Sequence, residues 1–174
     1  MKKFLLIFVL LPVTLLQAQE IDGFWGLDFG MQKPQVMRRL HRKVNTADLE
    51  YGQIEKSLCL TNVEFAGYNF DSALIGFNAY NQLCSGFFRK VAGLKNETPL
   101  KDIFHELTES LEKKYGEYQK VEDYDHLFWV DENGNYISLR YEAGNAEWQD
   151  EEILTISYTN EKLKNASDFV SDDL

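Results

Sequence analysis

The chain has little of what would staple a small domain or give it catalytic power: two cysteines, three histidines and three prolines in 174 residues. Two cysteines allow one disulfide at most, so a disulfide-built scaffold is excluded and a hydrophobic core must hold the fold. His41, His105 and His126 show no ligand spacing with one another, with a cysteine or with a carboxylate on one helical face, so a zinc motif is excluded. Nor is there a Gly-Xaa-Ser-Xaa-Gly elbow or a phosphate loop. Prolines at 12, 34 and 99 leave the segments between them free to form strands. Positive charge is also scarce, with 18 Lys and Arg against 28 Asp and Glu.

The one long apolar run, Phe4 to Leu16, follows Lys2-Lys3 and is followed by the small residue Ala18. That is the layout of a secretory signal peptide over residues 1–18, and the run is short for a membrane span. The expectation is an exported chain cleaved after Ala18, periplasmic or secreted, with no membrane span after cleavage. No cysteine stands at the junction to accept a lipid. Cleavage removes two lysines and no acid, so the formal charge moves from −10 to −12. A field of that sign disfavours nucleic acid and anionic lipid as partners. Residues 19–160 read as a single domain, or as halves at 19–95 and 96–160, with a flexible acidic tail at 161–174.

Along the chain, Phe24 to Phe29 reads as an aromatic, Gly-rich strand, and Gly30 and Pro34 mark a turn into a first helix. Val36, Met37, Leu40 and Val44 form its apolar stripe, leaving Arg38, Arg39, Arg42 and Lys43 outward. Residues 62–66, 73–80 and 83–91 read as antiparallel strands with a turn at Asn81-Gln82. A second helix, capped by Thr98 and ended by Gly116, carries the stripe Leu100, Ile103, Phe104, Leu107 and Leu111. Strands follow at 118–122, 126–130, 136–142 and 153–159, and Asn133-Gly134 favours a tight hairpin. The pattern predicts an α+β protein whose two helices pack on antiparallel sheet. A helix, a Tyr-Gly pair (Tyr51-Gly52, Tyr115-Gly116) and short strands recur in both halves, which suggests a tandem α-β-β-β duplication.

Cys59 and Cys84 fall on strands separated by a middle one, about 10 Å apart, beyond the usual disulfide reach near 7 Å. The choice between a disulfide closed by a bulge and two buried thiols stays open. Asp131, Asn133 and Asn135, with Glu142 eleven residues after Asp131, match calcium-loop ligand spacing. Against this, Tyr136 stands where that loop needs Gly, and the flanks read as strands, so a hairpin turn is the better reading. The cluster Lys33, Arg38, Arg39, Arg42 and Lys43 reads as the solvated face of the first helix. No residue is assigned a catalytic, cofactor-binding or metal-ligating role.

Adjacent aromatic pairs carry the clearest hint of a surface. Phe87-Phe88 and Phe128-Trp129 lie in strands, so one member of each points away from the core and needs another cover.

The segment Gly26-Leu27-Asp28-Phe29-Gly30-Met31-Gln32-Lys33-Pro34-Gln35-Val36 resembles a strand-to-helix motif, Gly-Met-Ser-Lys-Xaa-Xaa-Val in type, of small exported bacterial envelope proteins. The motif recurs in the small lipoprotein of the outer-membrane barrel-assembly machine and in proteins shaped like the β-lactamase inhibitor protein. Here Gln32 replaces the capping serine, and the lipid-accepting cysteine is absent. The stretch from Phe65-Ala66-Gly67-Tyr68-Asn69-Phe70 to Phe87-Phe88 is similar to small exported proteins of Bacteroidota. The resemblance implies helices on an antiparallel sheet. The expected function is an exported, non-enzymatic, protein-binding or inhibitor-like module whose partner is an envelope or secreted protein. The rival expectation is a small envelope enzyme or ligand carrier, which requires a deep pocket with converging polar groups.

Overall fold

The computed structural model describes residues 19–43, 49–50, 57–93, 99–122, 124–143 and 151–166. Strands β1 (Gly23–Phe24) and β2 (Leu27–Asp28) precede helix α1 (Lys33–Leu40), then β3 (Leu49–Glu50), β4 (Ser57–Phe65), β5 (Tyr68–Phe77) and β6 (Leu83–Gly93). Helix α2 (Leu100–Tyr115) opens the second run, followed by β7 (Gln119–Lys120), β8 (His126–Val130), β9 (Asn135–Glu142), β10 (Glu151–Asn160) and helix α3 (Glu161–Asn165). β1 and β2 pair with each other, and the other eight form one sheet in the order β3-β4-β5-β6-β10-β9-β8-β7. Every pairing among the described strands is antiparallel. The order mirrors about the β6–β10 seam, four strands from each half. The protein is thus an α+β fold, mostly strand.

Two-residue alternation sorts the strands into two faces. Leu127 and Trp129 of β8, Ile137, Leu139 and Tyr141 of β9, and Leu154, Ile156 and Tyr158 of β10 are buried on one face. Phe88 of β6, Ala73 and Ile75 of β5, and Leu58 and Leu60 of β4 continue it. The predicted stripe of α2 is buried whole and extends by one turn to Tyr115. At Asn62 the alternation of β4 slips by one, from Leu58 and Leu60 to Val63 and Phe65, and Asn62 sits at φ 50°. β5 slips opposite it, at Asp71, so the pairing register survives. The slip turns Phe65 and Phe70 onto Phe88, with ring centroids at 4.1 and 6.0 Å.

Local chemistry explains the element ends. Gln35 Oε1 accepts the Gln32 N–H at 3.1 Å, the half of a capping box that does not need the missing serine. Thr98 lies outside the described residues; Leu100 N–H at the start of α2 donates instead to Glu152 Oε2 of β10, at 2.8 Å. A carboxylate there also suits the positive end of the helix. Gly116, at φ 85°, closes α2 and accepts Trp129 Nε1–H at 3.0 Å. Asn78, buried in the β5–β6 loop, accepts the N–H groups of Tyr80 and Gln82 and donates to Leu163 O of α3.

Several expectations change. Instead of one strand over 24–29, the chain makes a small hairpin, because Trp25 and Gly26 both take positive φ. Residues 161–165, placed by composition in the tail, form α3, where Asn160 Oδ1 accepts Leu163 N–H at 2.8 Å; residues 167–174 lie outside the described ones. The β8–β9 loop spans four residues, 131–134, with only Gly134 left-handed, so Asn133-Gly134 is not a two-residue turn. Cys59 on β4 and Cys84 on β6 are free thiols with β5 between them. Cys84 is the extra residue of a bulge opposite Gly76–Phe77, and burial pushes its thiol pKa up. Val44 and the Tyr51-Gly52 pair lie outside the described residues.

One tight contact tests the packing. Gly86 stands on the buried face under the Phe24 ring, and a Cβ there would overlap that ring. Gly86→Ala should destabilise by about 1–3 kcal/mol. In a denaturant double-mutant cycle, Phe24→Ala should cost less in the Gly86→Ala background than alone; strict additivity would show that the ring does not rest on Gly86.

Candidate functional site

The other face of the eight-stranded sheet carries the residues that the core does not use. Reading across paired strands, one rank runs Cys59, Leu74, Phe87, Ser157, Ser138 and Phe128. Toward the β8–β9 loop lies Ser57, Gly76, Ser85, Thr159, Tyr136 and Val130, and on the other side Thr61, Ser72, Arg89, Thr155, Arg140 and His126. Thr159 is buried; the rest are half-buried or exposed. The stripes of α1 and α2 belong to the core. Phe88 is wholly buried while Phe87 is half-exposed, and Trp129 and Phe128 divide in the same way, as the paired aromatics predict. Both outward phenylalanines fall in the same rank.

The polar groups of this face form two small sets. His126 Nε2 lies 2.7 Å from Ser138 Oγ, and the His126 ring tilts against Phe128 with centroids 4.2 Å apart. Arg140 Nε donates to Glu142 Oε1 at 2.7 Å. Burial first, and the Arg140 guanidinium second, hold the His126 imidazole below the ordinary histidine range, with Glu142 opposing. Arg89 is exposed and has no carboxylate partner among the described residues. A serine and a histidine in contact are the start of a nucleophile pair, but among the described residues no carboxylate hydrogen-bonds the histidine to orient it.

Three clefts lie elsewhere. One among the described residues, about 610 Å³, is lined by Gln19, Glu20, Ile21, Tyr115, Trp129 and the start of the β8–β9 loop, and two others measure about 310 and 350 Å³. None of the three holds His105 or His126, the residues whose enclosure with a carboxylate would have marked a catalytic or carrier pocket.

The other sequence candidates are absorbed by the fold. Asp131 Oδ1 accepts the N–H groups of Asn133 and Asn135, and Oδ2 accepts Ile21 N–H and Asn135 Nδ2–H, at 2.9–3.1 Å. Glu142 ends β9 at the far end from this turn, roughly 23 Å away for seven strand steps, so the two carboxylates cannot share one calcium ion. The turn is a clasp for the start of the described chain, strengthened by Asn133 Nδ2 donating to Glu20. Part of the basic cluster turns inward: Arg39 donates to Gly26 O and to Asp28 Oδ2, and Lys43 and Lys33 lie over the rings of Trp25 and Phe77. Arg38 and Arg42 remain solvated as expected. His105 is exposed on α2 beside Phe104, and His41 is exposed beyond α1. Sequence reasoning missed the arginines of the open face, because Arg89 and Arg140 lie about fifty residues apart and become neighbours only across β10.

Two outcomes follow from this chemistry. Asp131→Ala, which strands four donors, should cost about 2–3 kcal/mol, and melts of the parent protein in calcium and in chelator should superimpose; a calcium-dependent shift would restore the ion site. His126, kept neutral by the fold, contributes stability that is present above its unfolded value near 6.5 and is lost as pH falls through the window below it. Its ring protons should therefore titrate below 6.5 by NMR, and Arg140→Ala should move the midpoint upward; a midpoint that ignores Arg140 would contradict the geometry.

No family model matches this chain, and neither a curated protein nor a solved structure matches it.

Proposed function

We propose that the chain is an exported, non-enzymatic binding module, periplasmic or secreted, whose open sheet face holds a protein of the envelope or of the secreted fraction in the manner of an inhibitor. The observation that carries this reading is the rank of Phe87 and Phe128, two large aromatic side chains that stand half-buried on the sheet face opposite the packed core. An aromatic side chain at a contact surface supplies much apolar area at low entropic cost, and such residues dominate binding energetics. Between them in the rank stand only the small side chains of Ser157 and Ser138, which leave room for a partner to lie between the two rings. The leading segment Lys2 to Ala18 supports export.

The two halves are tandem α-β-β-β copies on this reading. Support comes from the order of elements: each half runs helix, two-residue strand and three long strands, and the two sets meet last strand to last strand at the β6–β10 seam. Such an arrangement doubles the width of a single open face.

Site-specific photo-crosslinking in living cells tests the binding reading. Benzoylphenylalanine placed at Phe87 or Phe128 should yield a discrete adduct with an envelope or secreted protein, while the same probe at Glu109, exposed on α2, should not. Adducts at Glu109 alone, or none at either phenylalanine, would remove the sheet face from consideration.

A further inference from the structure

The charge pattern of the open face identifies the chemistry of its partner. The three central ranks contain no aspartate or glutamate, although the chain carries 28 of them among 174 residues. At that frequency about three of the eighteen positions would be acidic if the ranks were ordinary surface. What the ranks hold instead is Arg89, Arg140 and His126, all in one rank. Arg89 and Arg140 flank Thr155 on neighbouring strands, so their backbones stand about 10 Å apart. Arg140 is engaged by Glu142, while Arg89 has no carboxylate partner among the described residues. In a protein of net charge −10 these three ranks are therefore acid-free and hold Arg89 and Arg140 with Phe87 and Phe128 beside them, while Glu142 borders them on the same face, paired with Arg140.

Resting on the reading that this face binds a protein, we infer that its partner presents an acidic patch: carboxylates that pair with Arg89 and Arg140, set among apolar side chains that cover Phe87 and Phe128. Guanidinium groups take carboxylates in bidentate pairs, and partial removal from water by neighbouring aromatic rings strengthens those pairs. An extended polyanion fits less well. A nucleic acid or an anionic bilayer would run past two arginines into the acidic remainder of the chain, whereas a compact acidic patch fits within the three acid-free ranks. Arg140 can exchange Glu142 for the partner's carboxylate, so binding and the intramolecular pair compete. Such a surface gives orientation and rate of encounter, and the aromatic rank gives the contact area.

The test uses the exported chain, purified as the cell processes it and labelled with 15N. The probes are an acetylated, amidated Glu-Phe-Asp-Phe-Glu peptide, its Gln/Asn analogue, a single-stranded oligothymidine and phosphatidylglycerol vesicles. The acidic peptide should shift the Arg89 and Arg140 side-chain Nε–H signals and the Thr155 amide, and binding should weaken severalfold between about 50 and 300 mM salt. Arg89→Glu should weaken it about tenfold, the loss expected for one charge pair worth 1.4 kcal/mol. The size-conserving Arg89→Gln should weaken it less, and Arg38→Glu on α1 should leave it unchanged. Equal shifts with the Gln/Asn analogue, shifts confined to other surfaces, or tighter binding of oligothymidine or vesicles would overturn the proposal. The two readings fail separately: if crosslinking at Phe87 and Phe128 succeeds while the acidic peptide leaves Arg89 and Arg140 unmoved, the face binds a protein and the acidic chemistry is wrong. If crosslinking fails at both phenylalanines, the face itself is wrong and this inference falls with it.

Discussion

The rest of the structure depends on the burial of Phe88 at the centre of β6. Four aromatic rings, those of Phe24, Trp25, Phe65 and Phe70, surround it with centroids between 4.1 and 6.1 Å. They arrive from separate parts of the chain: the small β1–β2 hairpin and the ends of β4 and β5. Edge-to-face and stacked pairs of this kind add about 0.5–1.5 kcal/mol each beyond area burial, so the cluster is a large part of what closes the sheet over its leading segment. It also fixes register. Because β6 alternates without interruption after its bulge at Cys84, seating Phe88 in the core forces Phe87 and Arg89 to the other side, and pairing with β10 then aligns Ser157 and Thr155 beside them.

That coupling explains what could be read from sequence and what could not. Alternation and helical periodicity are local, and they placed α2, most of β6 and of β8 to β10, about half of β4 and β5, and the divergence of Phe87 from Phe88. The capping of α2 by Glu152 was not legible, since helix start and carboxylate are separated by 52 residues and meet only when β10 is in the sheet. The roles of Asp131 and Asn78 were hidden for a related reason: each satisfies partners from its own turn and one from a distant segment, Ile21 or Leu163. A sequence motif sees the first kind of bond and cannot see the second. The calcium-like spacing at Asp131 is an instance, because the same oxygens that would ligand an ion are the natural acceptors of a turn.

Charge placement follows a division of labour between the two sides. On the helical side, carboxylates perform structural work: Glu152 caps α2 and accepts Tyr141 Oη–H at 3.0 Å, and Glu106 accepts the Tyr68 hydroxyl. The Tyr141 phenol is pushed up to about 12, by burial and then by that carboxylate, so it remains a hydrogen-bond donor across the physiological range. Arginine and lysine near α1 are drawn onto the β1–β2 hairpin and its aromatic rings. On the open face Arg140 is paired with Glu142, whereas Arg89 has no carboxylate partner among the described residues.

Strand chemistry alone does not produce that face. Acidic residues are poor strand formers, which accounts for some of their absence from the three ranks. The same preference would fill exposed positions with Val, Thr and Tyr, yet the ranks hold Ser57, Ser72, Ser85, Ser138, Ser157 and Gly76, which lack the branched side chains that favour strands. Gly76 is constrained from within, because a Cβ there would meet Ser85 Oγ. The serines have no such constraint in common. A hydroxyl-lined surface that also carries Phe87, Phe128, Arg89 and Arg140 gives up strand preference at several positions, a loss that the stability of the sheet does not require.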